Sequence, residues 1–139
     1  MVQIIAGEKG KGKTKQLLDQ VNAAIETATG NIVYLDKSQK HMHELSNKVR
    51  LINVGDYPIS NCDEFLGFIC GIVSQDYDLQ EMYLDSFLTI ANLADDQLVH
   101  AIEKLDIISE KFNVKFILSV SKDEADLPEC AKARLIVSL

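Results

Sequence analysis

At 139 residues the chain has room for one domain with a real core but not for two of ordinary size. Its 47% hydrophobic and 25% charged composition excludes a disordered or fibrous chain. A net charge of −7 disfavours a protein whose main task is gripping nucleic acid, because backbone binding rests on Lys and Arg. No apolar run reaches the roughly 18 residues of a membrane span, and the first residues lack a signal-peptide core. Cys62, Cys70 and Cys130 show neither C-x-x-C spacing nor an even count. A soluble, cytoplasmic protein without a disulfide framework or zinc site is expected.

Val2-Gln3-Ile4-Ile5-Ala6 is a short apolar run that stops at Gly7, the pattern of a buried strand entering a turn. Leu17, Leu18, Val21, Ile25 and Ala28 then recur at helical spacing, with Gly30 placed for a helix C-terminal glycine. Asn31–Asp36 reads as a second strand, rich in β-branched and aromatic residues, and Arg50–Val54 as a shorter third. Between them, Lys37 to Lys48 is polar. His41 and His43 sit two residues apart there, a spacing that separates them on a helix and reads as solvated side chains rather than metal ligands.

Ser60 and Asp63 fit a capping box ahead of Leu66, Ile69, Cys70 and Val73, so a helix is expected to run to about Gln75. Glu81–Asp85 reads as a strand ending in a carboxylate. Asp95 and Asp96 open a further helix through Leu98, Ile102, Leu105 and Phe112, with acids where the helix dipole favours them. Val114–Val120 and Leu135–Val137 complete the strands. Strands separated by helices of roughly 12 to 18 residues predict an α/β three-layer sandwich with a mainly parallel sheet of about five or six strands. Residues 1–139 are expected to form one domain.

The eleven residues Ala6–Gln16, where the first strand gives way to the first helix, hold three of the seven glycines and four of the twelve lysines. Gly7-Glu8-Lys9-Gly10-Lys11-Gly12-Lys13-Thr14 matches G-x-x-x-x-G-K-[ST] at every fixed position, in the strand–loop–helix context the motif requires. Glycines permit positive φ and close backbone approach, so that successive N–H groups can point at phosphate oxygens beside a helix N-terminus. Lys13 is positioned by the motif to reach the β- and γ-phosphates, and the Thr14 hydroxyl to ligate Mg²⁺. Gly7 through Lys15 are the candidate nucleotide-binding residues, with Glu8 in the loop and Lys9, Lys11 and Lys15 raising the local potential. The second Mg²⁺ holder of such a site is an Asp at the end of a neighbouring apolar strand, and Asp85 after Met82-Tyr83-Leu84 is the candidate.

On these residues the chain resembles the P-loop NTPase superfamily, in its RecA-like and thymidine-kinase-like branch. More narrowly, it is similar to short bacterial P-loop proteins that sometimes carry a twitching-motility ATPase label. The larger retraction ATPases have a separate N-terminal domain and acidic and histidine-containing boxes with no counterpart in these residues, so a motility role is not carried over. The resemblance implies that a strand with a polar sensor, matched by Ser119 or Ser121, lies between the P-loop strand and the Asp85 strand. It implies ATP as ligand and Mg as cofactor. In many members of the branch a Glu follows the strand-end Asp; here Ser86 stands there, and Asp36 at the end of "VYLD" is the substitute candidate for a catalytic carboxylate.

Arg50 and Arg134 are the only arginines, Arg134 being the better placed for a finger role, so intrinsic turnover is expected to be slow. The guanine-recognition pattern [NT]-K-x-D is not met by Ser121-Lys122-Asp123-Glu124, which leaves ATP favoured. The expectation is a Mg-dependent ATP-binding protein and slow NTPase. Its alternatives are a nucleotide-sensing module or assembly subunit, dependent on a protein partner or a second copy, and a small-molecule phosphotransferase.

Overall fold

The computed structural model describes residues 1–139. Strand β1 (Val2–Ala6) leads through the glycine loop into α1 (Lys13–Thr27), and β2 (Asn31–Asp36) follows. β3 (Arg50–Asn53), α2 (Cys62–Ser74), β4 (Leu79–Leu84), the short α3 (Phe87–Ile90), α4 (Leu98–Phe112), β5 (Lys115–Val120), the short α5 (Glu129–Lys132) and β6 (Leu135–Ser138) complete the chain. All six strands are parallel, in the order β3-β2-β4-β5-β1-β6. β5 therefore lies between β1 and β4, as the resemblance implies. No helix is long and apolar enough to cross a membrane.

Period-2 alternation sorts each strand between the two faces. Val2, Ile4 and Ala6, Val33 and Leu35, Met82 and Leu84, and Phe116, Leu118 and Val120 join a cluster of 28 buried residues with α2 and α4. Ile5, Ile32, Tyr34, Tyr83 and Ile117 join a cluster of ten with Leu17, Leu18, Val21 and Ile25 of α1. The α1 face is thus the thinner layer. Fully buried side chains such as Phe65, Phe87 and Phe116 each stabilise the fold by roughly 1.5–3 kcal/mol.

Several boundaries differ from the sequence reading. Asn61, not Ser60, caps α2: its side chain accepts the Glu64 N–H at 2.9 Å, while Glu64 Oε1 reaches back to the Ser60 N–H and hydroxyl at 2.7 Å. Gly30 is not a left-handed helix cap, because α1 ends earlier at an extended Ala28. Gly30 is required for close approach instead, since an added Cβ would lie 2.2 Å from the Asp78 carbonyl oxygen. Asp95 and Asp96 form a 3-10 turn that feeds α4, where Gln97 Oε1 accepts the Ala94 N–H. β2 and β3 are joined without an α-helix, through one 3-10 turn at Met42–Glu44. β5 and β6 are joined through a 3-10 turn at Glu124–Asp126 and the four-residue α5.

Candidate functional site at the C-terminal ends of the strands

The alternation that builds the core also builds the site. In β4, Tyr83 and the following Asp85 point to the α1 side; in β2, Tyr34 and Asp36 do so; in β5, Ile117 and Ser119 do so. Register aligns Tyr34, Tyr83 and Ile117 in one row, so Asp36, Asp85 and Ser119 form the next row out. α1 begins on the same face and the same edge. Its N-cap, Gly12, carries φ +92°, and Gly10 carries φ +87°, conformations that glycine adopts without cost. Gly7 is not left-handed; it lies against Leu139, whose Cβ would be 3.0 Å from a Cβ added there.

α1 contrasts with α2 in one respect that bears on ligand chemistry. α2 has a side-chain cap and two acids, Asp63 and Glu64, in its first turn. α1 has neither a side-chain cap bond nor a first-turn acid. Its first N–H groups and the positive end of its dipole are therefore left for an anion from elsewhere.

A cleft of about 530 Å³ opens there, within the range of small-molecule sites, and no hydrophobic side chain lines it. Its lining comes from three parts of the chain: Lys9, Gly10, Gly12, Lys13 and Thr14 from the glycine loop and the start of α1; Asp85, Ser86, Thr89 and Ser121 from the segments after β4 and β5; and Asp36, Lys37, Ser38, Lys40 and His41 from the end of β2 and the segment after it. Lys13 is buried and its Nζ donates to the Glu8 carbonyl at 3.1 Å. Burial pushes its ammonium below the ordinary lysine range, and Asp85 opposes that shift.

Asp85 is the hub. Its Oδ2 accepts from the Thr14 hydroxyl at 3.0 Å and the Tyr34 hydroxyl at 2.9 Å. Its Oδ1 accepts from the Ser119 hydroxyl at 2.6 Å and the Ser86 N–H at 2.9 Å. Four donors occupy the four lone-pair sites of this carboxylate. Burial, followed by the Asp85 charge, raises the Tyr34 phenol far above its ordinary value, so it remains a donor. Ser86 sits at φ +53°, a left-handed turn that directs its N–H at both Asp85 and the Ser119 Oγ.

Asp36 is 2% exposed. Its Oδ1 accepts the Lys37 N–H at 2.7 Å, whereas its buried Oδ2 has no partner. Burial first, then the Asp85 charge, raises its carboxyl above the usual range.

The other candidates separate. Gly7, Glu8, Lys11 and Lys15 do not line the cleft, and Lys15 pairs with Asp19 along the outside of α1 at 2.9 Å. Ser119 is buried behind Asp85, while Ser121 lines the cleft. Neither arginine lines it: Arg134 is tied to Asp106 and the Cys130 carbonyl. Asp123 caps a turn by accepting the Ala125 N–H at 3.2 Å.

His41 lines the cleft, paired with Glu44 at 3.0 Å, and His43 does not. Sequence reasoning missed Tyr34, Thr89, Lys37 and Lys40 as site residues; only strand register and the path of the chain after β2 bring them in. No group of three or more His, Cys, Asp and Glu converges to hold a metal. The Thr14 hydroxyl keeps lone pairs for Mg²⁺, which binds through one or two protein oxygens together with substrate phosphates rather than in an all-protein cage; Asp85, its four lone-pair sites filled by donors, supports Thr14 from behind.

No protein-family model matches the chain, and no curated protein matches it. Solved structures do. The flagellar accessory protein FlaH from Methanocaldococcus jannaschii is similar with a TM-score of 0.58 at 13% identity over 95% of this chain and 65% of that one. C. elegans PCH-2 is similar with a TM-score of 0.52 at 10% identity over 98% of this chain. The fold is of the P-loop NTPase type. This chain spans only 33% of PCH-2 and less than two thirds of FlaH, so what those whole proteins do is not read across.

Proposed function

We propose that this protein binds Mg·ATP in the polar cleft and hydrolyses it slowly. The observation that carries the reading is the convergence of Lys13, Thr14 and Asp85, with uncapped α1 N–H groups, on one cleft without hydrophobic lining. The loop N–H groups and Lys13 hold the β- and γ-phosphates and stabilise charge that develops on the transferred group. By donating its proton to Asp85, Thr14 keeps its hydroxyl lone pairs free for a cation. Thr14, backed by Asp85, would hold Mg²⁺ beside the phosphates, where the ion would supply charge neutralisation. Asp36, a carboxylate of the cleft wall, is the acceptor for a proton of the attacking water.

Slow turnover follows from what stands at two positions. Ser86 occupies the place after Asp85, and no arginine reaches the cleft. The same facts support a second reading, a nucleotide-state module whose partner supplies the missing group. Mg·ATP at a hundredfold excess over Kd is expected to add roughly 2.7 kcal/mol of stability, read as a rise in melting temperature that Lys13→Ala abolishes. Absence of any shift with millimolar nucleoside triphosphate would sink the proposal. Phosphate release by the isolated chain at about 1 s⁻¹ or faster would exclude the partner-dependent reading.

A further inference from the structure

β2 lies three inter-strand spacings from β1, roughly 14 Å across the sheet. The segment that follows β2 therefore forms the wall of the cleft opposite the glycine loop, and Lys37, Ser38, Lys40 and His41 line it. This strap is pinned at both ends. At its start Asp36 Oδ1 accepts the Lys37 N–H, and Gly55 packs so close that an added Cβ would lie 3.2 Å from the Lys37 carbonyl oxygen. At its far end Asn22 of α1 clamps it, donating to the Glu44 carbonyl at 2.8 Å and accepting the Ser46 N–H at 2.9 Å. Turns between close it further, with Met42 N–H on the Gln39 carbonyl and Glu44 N–H on the His41 carbonyl.

The cleft-lining lysines of the strap have no ion-pair partner in the protein. Lys37 and Lys40 take part in none of the ion pairs of the chain, while His41 is engaged with Glu44. Lys9 and Lys13 stand on the loop side. The cleft thus has a cationic wall at each end, with Asp36 and Asp85 as its acids. On the nucleotide-binding reading, a phosphate chain that begins at the loop N–H groups and Lys13 would lengthen toward the strap, which a diphosphate would reach less far than a triphosphate.

We propose that Lys37 and Lys40 engage the terminal phosphate from within the same chain, so that the strap distinguishes a nucleoside triphosphate from a diphosphate. The inference rests on the nucleotide-binding reading above. It places the cations that arginine fingers supply elsewhere on a lysine pair in cis. Because the strap backbone is already pinned to α1, the ordering cost of the contact is confined to the two lysine side chains.

The test is calorimetric titration of the full chain with Mg·ADP and with the Mg complex of a non-hydrolysable triphosphate, AMPPNP. The wild type is expected to prefer the triphosphate. The double variant Lys37→Ala, Lys40→Ala is expected to lose about tenfold or more in triphosphate affinity while diphosphate affinity holds within about twofold. An unchanged triphosphate-to-diphosphate ratio overturns the proposal, and so do equal losses for both nucleotides, which would mark diffuse attraction. If the wild type binds neither nucleotide, the nucleotide reading itself falls and takes this inference with it.

Discussion

Removing one oxygen from Tyr34 isolates the hub of the site. The Tyr34 ring is fully buried and stacks on Tyr83 with centroids 6.3 Å apart, so Tyr34→Phe keeps the packing and opens no more than a hydroxyl-sized gap. What is lost is a buried hydrogen bond of 2.9 Å to a carboxylate, leaving one lone-pair site of Asp85 Oδ2 empty in an enclosed setting. Hydrogen bonds to charged groups contribute about 1.5–3 kcal/mol net, which for a chain of this length lowers the melting temperature by roughly 5–10 °C.

Urea denaturation monitored by circular dichroism is the assay, repeated in an Asp85→Asn background. There the effect is expected to shrink, because the two residues act as one unit. With the phenol held protonated by burial and by the Asp85 charge, the loss should be constant from about pH 6 to about pH 9. A loss below about 0.5 kcal/mol, the range of an ordinary surface change, would refute the hub; so would an undiminished loss in the double variant, where Asp85→Asn has replaced the carboxylate by an amide.

Asp36→Asn is expected to stabilise the folded chain at neutral pH while slowing phosphate release. The folded carboxyl titrates above its unfolded value, so its contribution to stability is full below the unfolded value near pH 3.9 and is lost as pH rises through the folded one. The gain from the substitution should therefore shrink toward pH 4 in denaturation curves measured across that window. Gly30→Ala is expected to destabilise by about 1–3 kcal/mol without altering nucleotide affinity, since the clash with the Asp78 carbonyl is remote from the cleft; equilibrium unfolding and a nucleotide titration measure the two effects separately.

The strands and the glycine loop were legible because each is written locally. Val2–Ala6 and Asn31–Asp36 are apolar runs bounded by turn residues, and both strands have the boundaries expected. Asp85 could be picked out as the carboxylate after Met82-Tyr83-Leu84. What escaped depends on juxtaposition between distant residues. Tyr34 reads as core until β2 pairs with β4 and its hydroxyl meets Asp85. Lys37 and Lys40 read as solvated residues of a polar segment until Asn22 and Gly55 hold that segment beside the cleft. Gly30 mimics a helix cap in sequence because both roles ask for a missing Cβ. Ser119 and Ser121 have the same parity in the chain and differ because Ser119 lies within β5, buried behind Asp85, whereas Ser121 falls past the strand end at Val120 and lines the cleft.

The four bonds to Asp85 bear on how this protein changes over generations. Through Thr14, Tyr34, Ser119 and Ser86 this one carboxylate joins α1, β2 and β5 to the end of β4. A descendant that had abandoned nucleotides would still be selected to retain it, because loss of a buried hydrogen-bonded acid endangers folding. Gly10, Gly12 and Lys13 have no comparable hold on the core, and drift would erase them first. Among divergent copies, the lysine and its two left-handed glycines are the dependable record of nucleotide use, and the aspartate is a record of architecture.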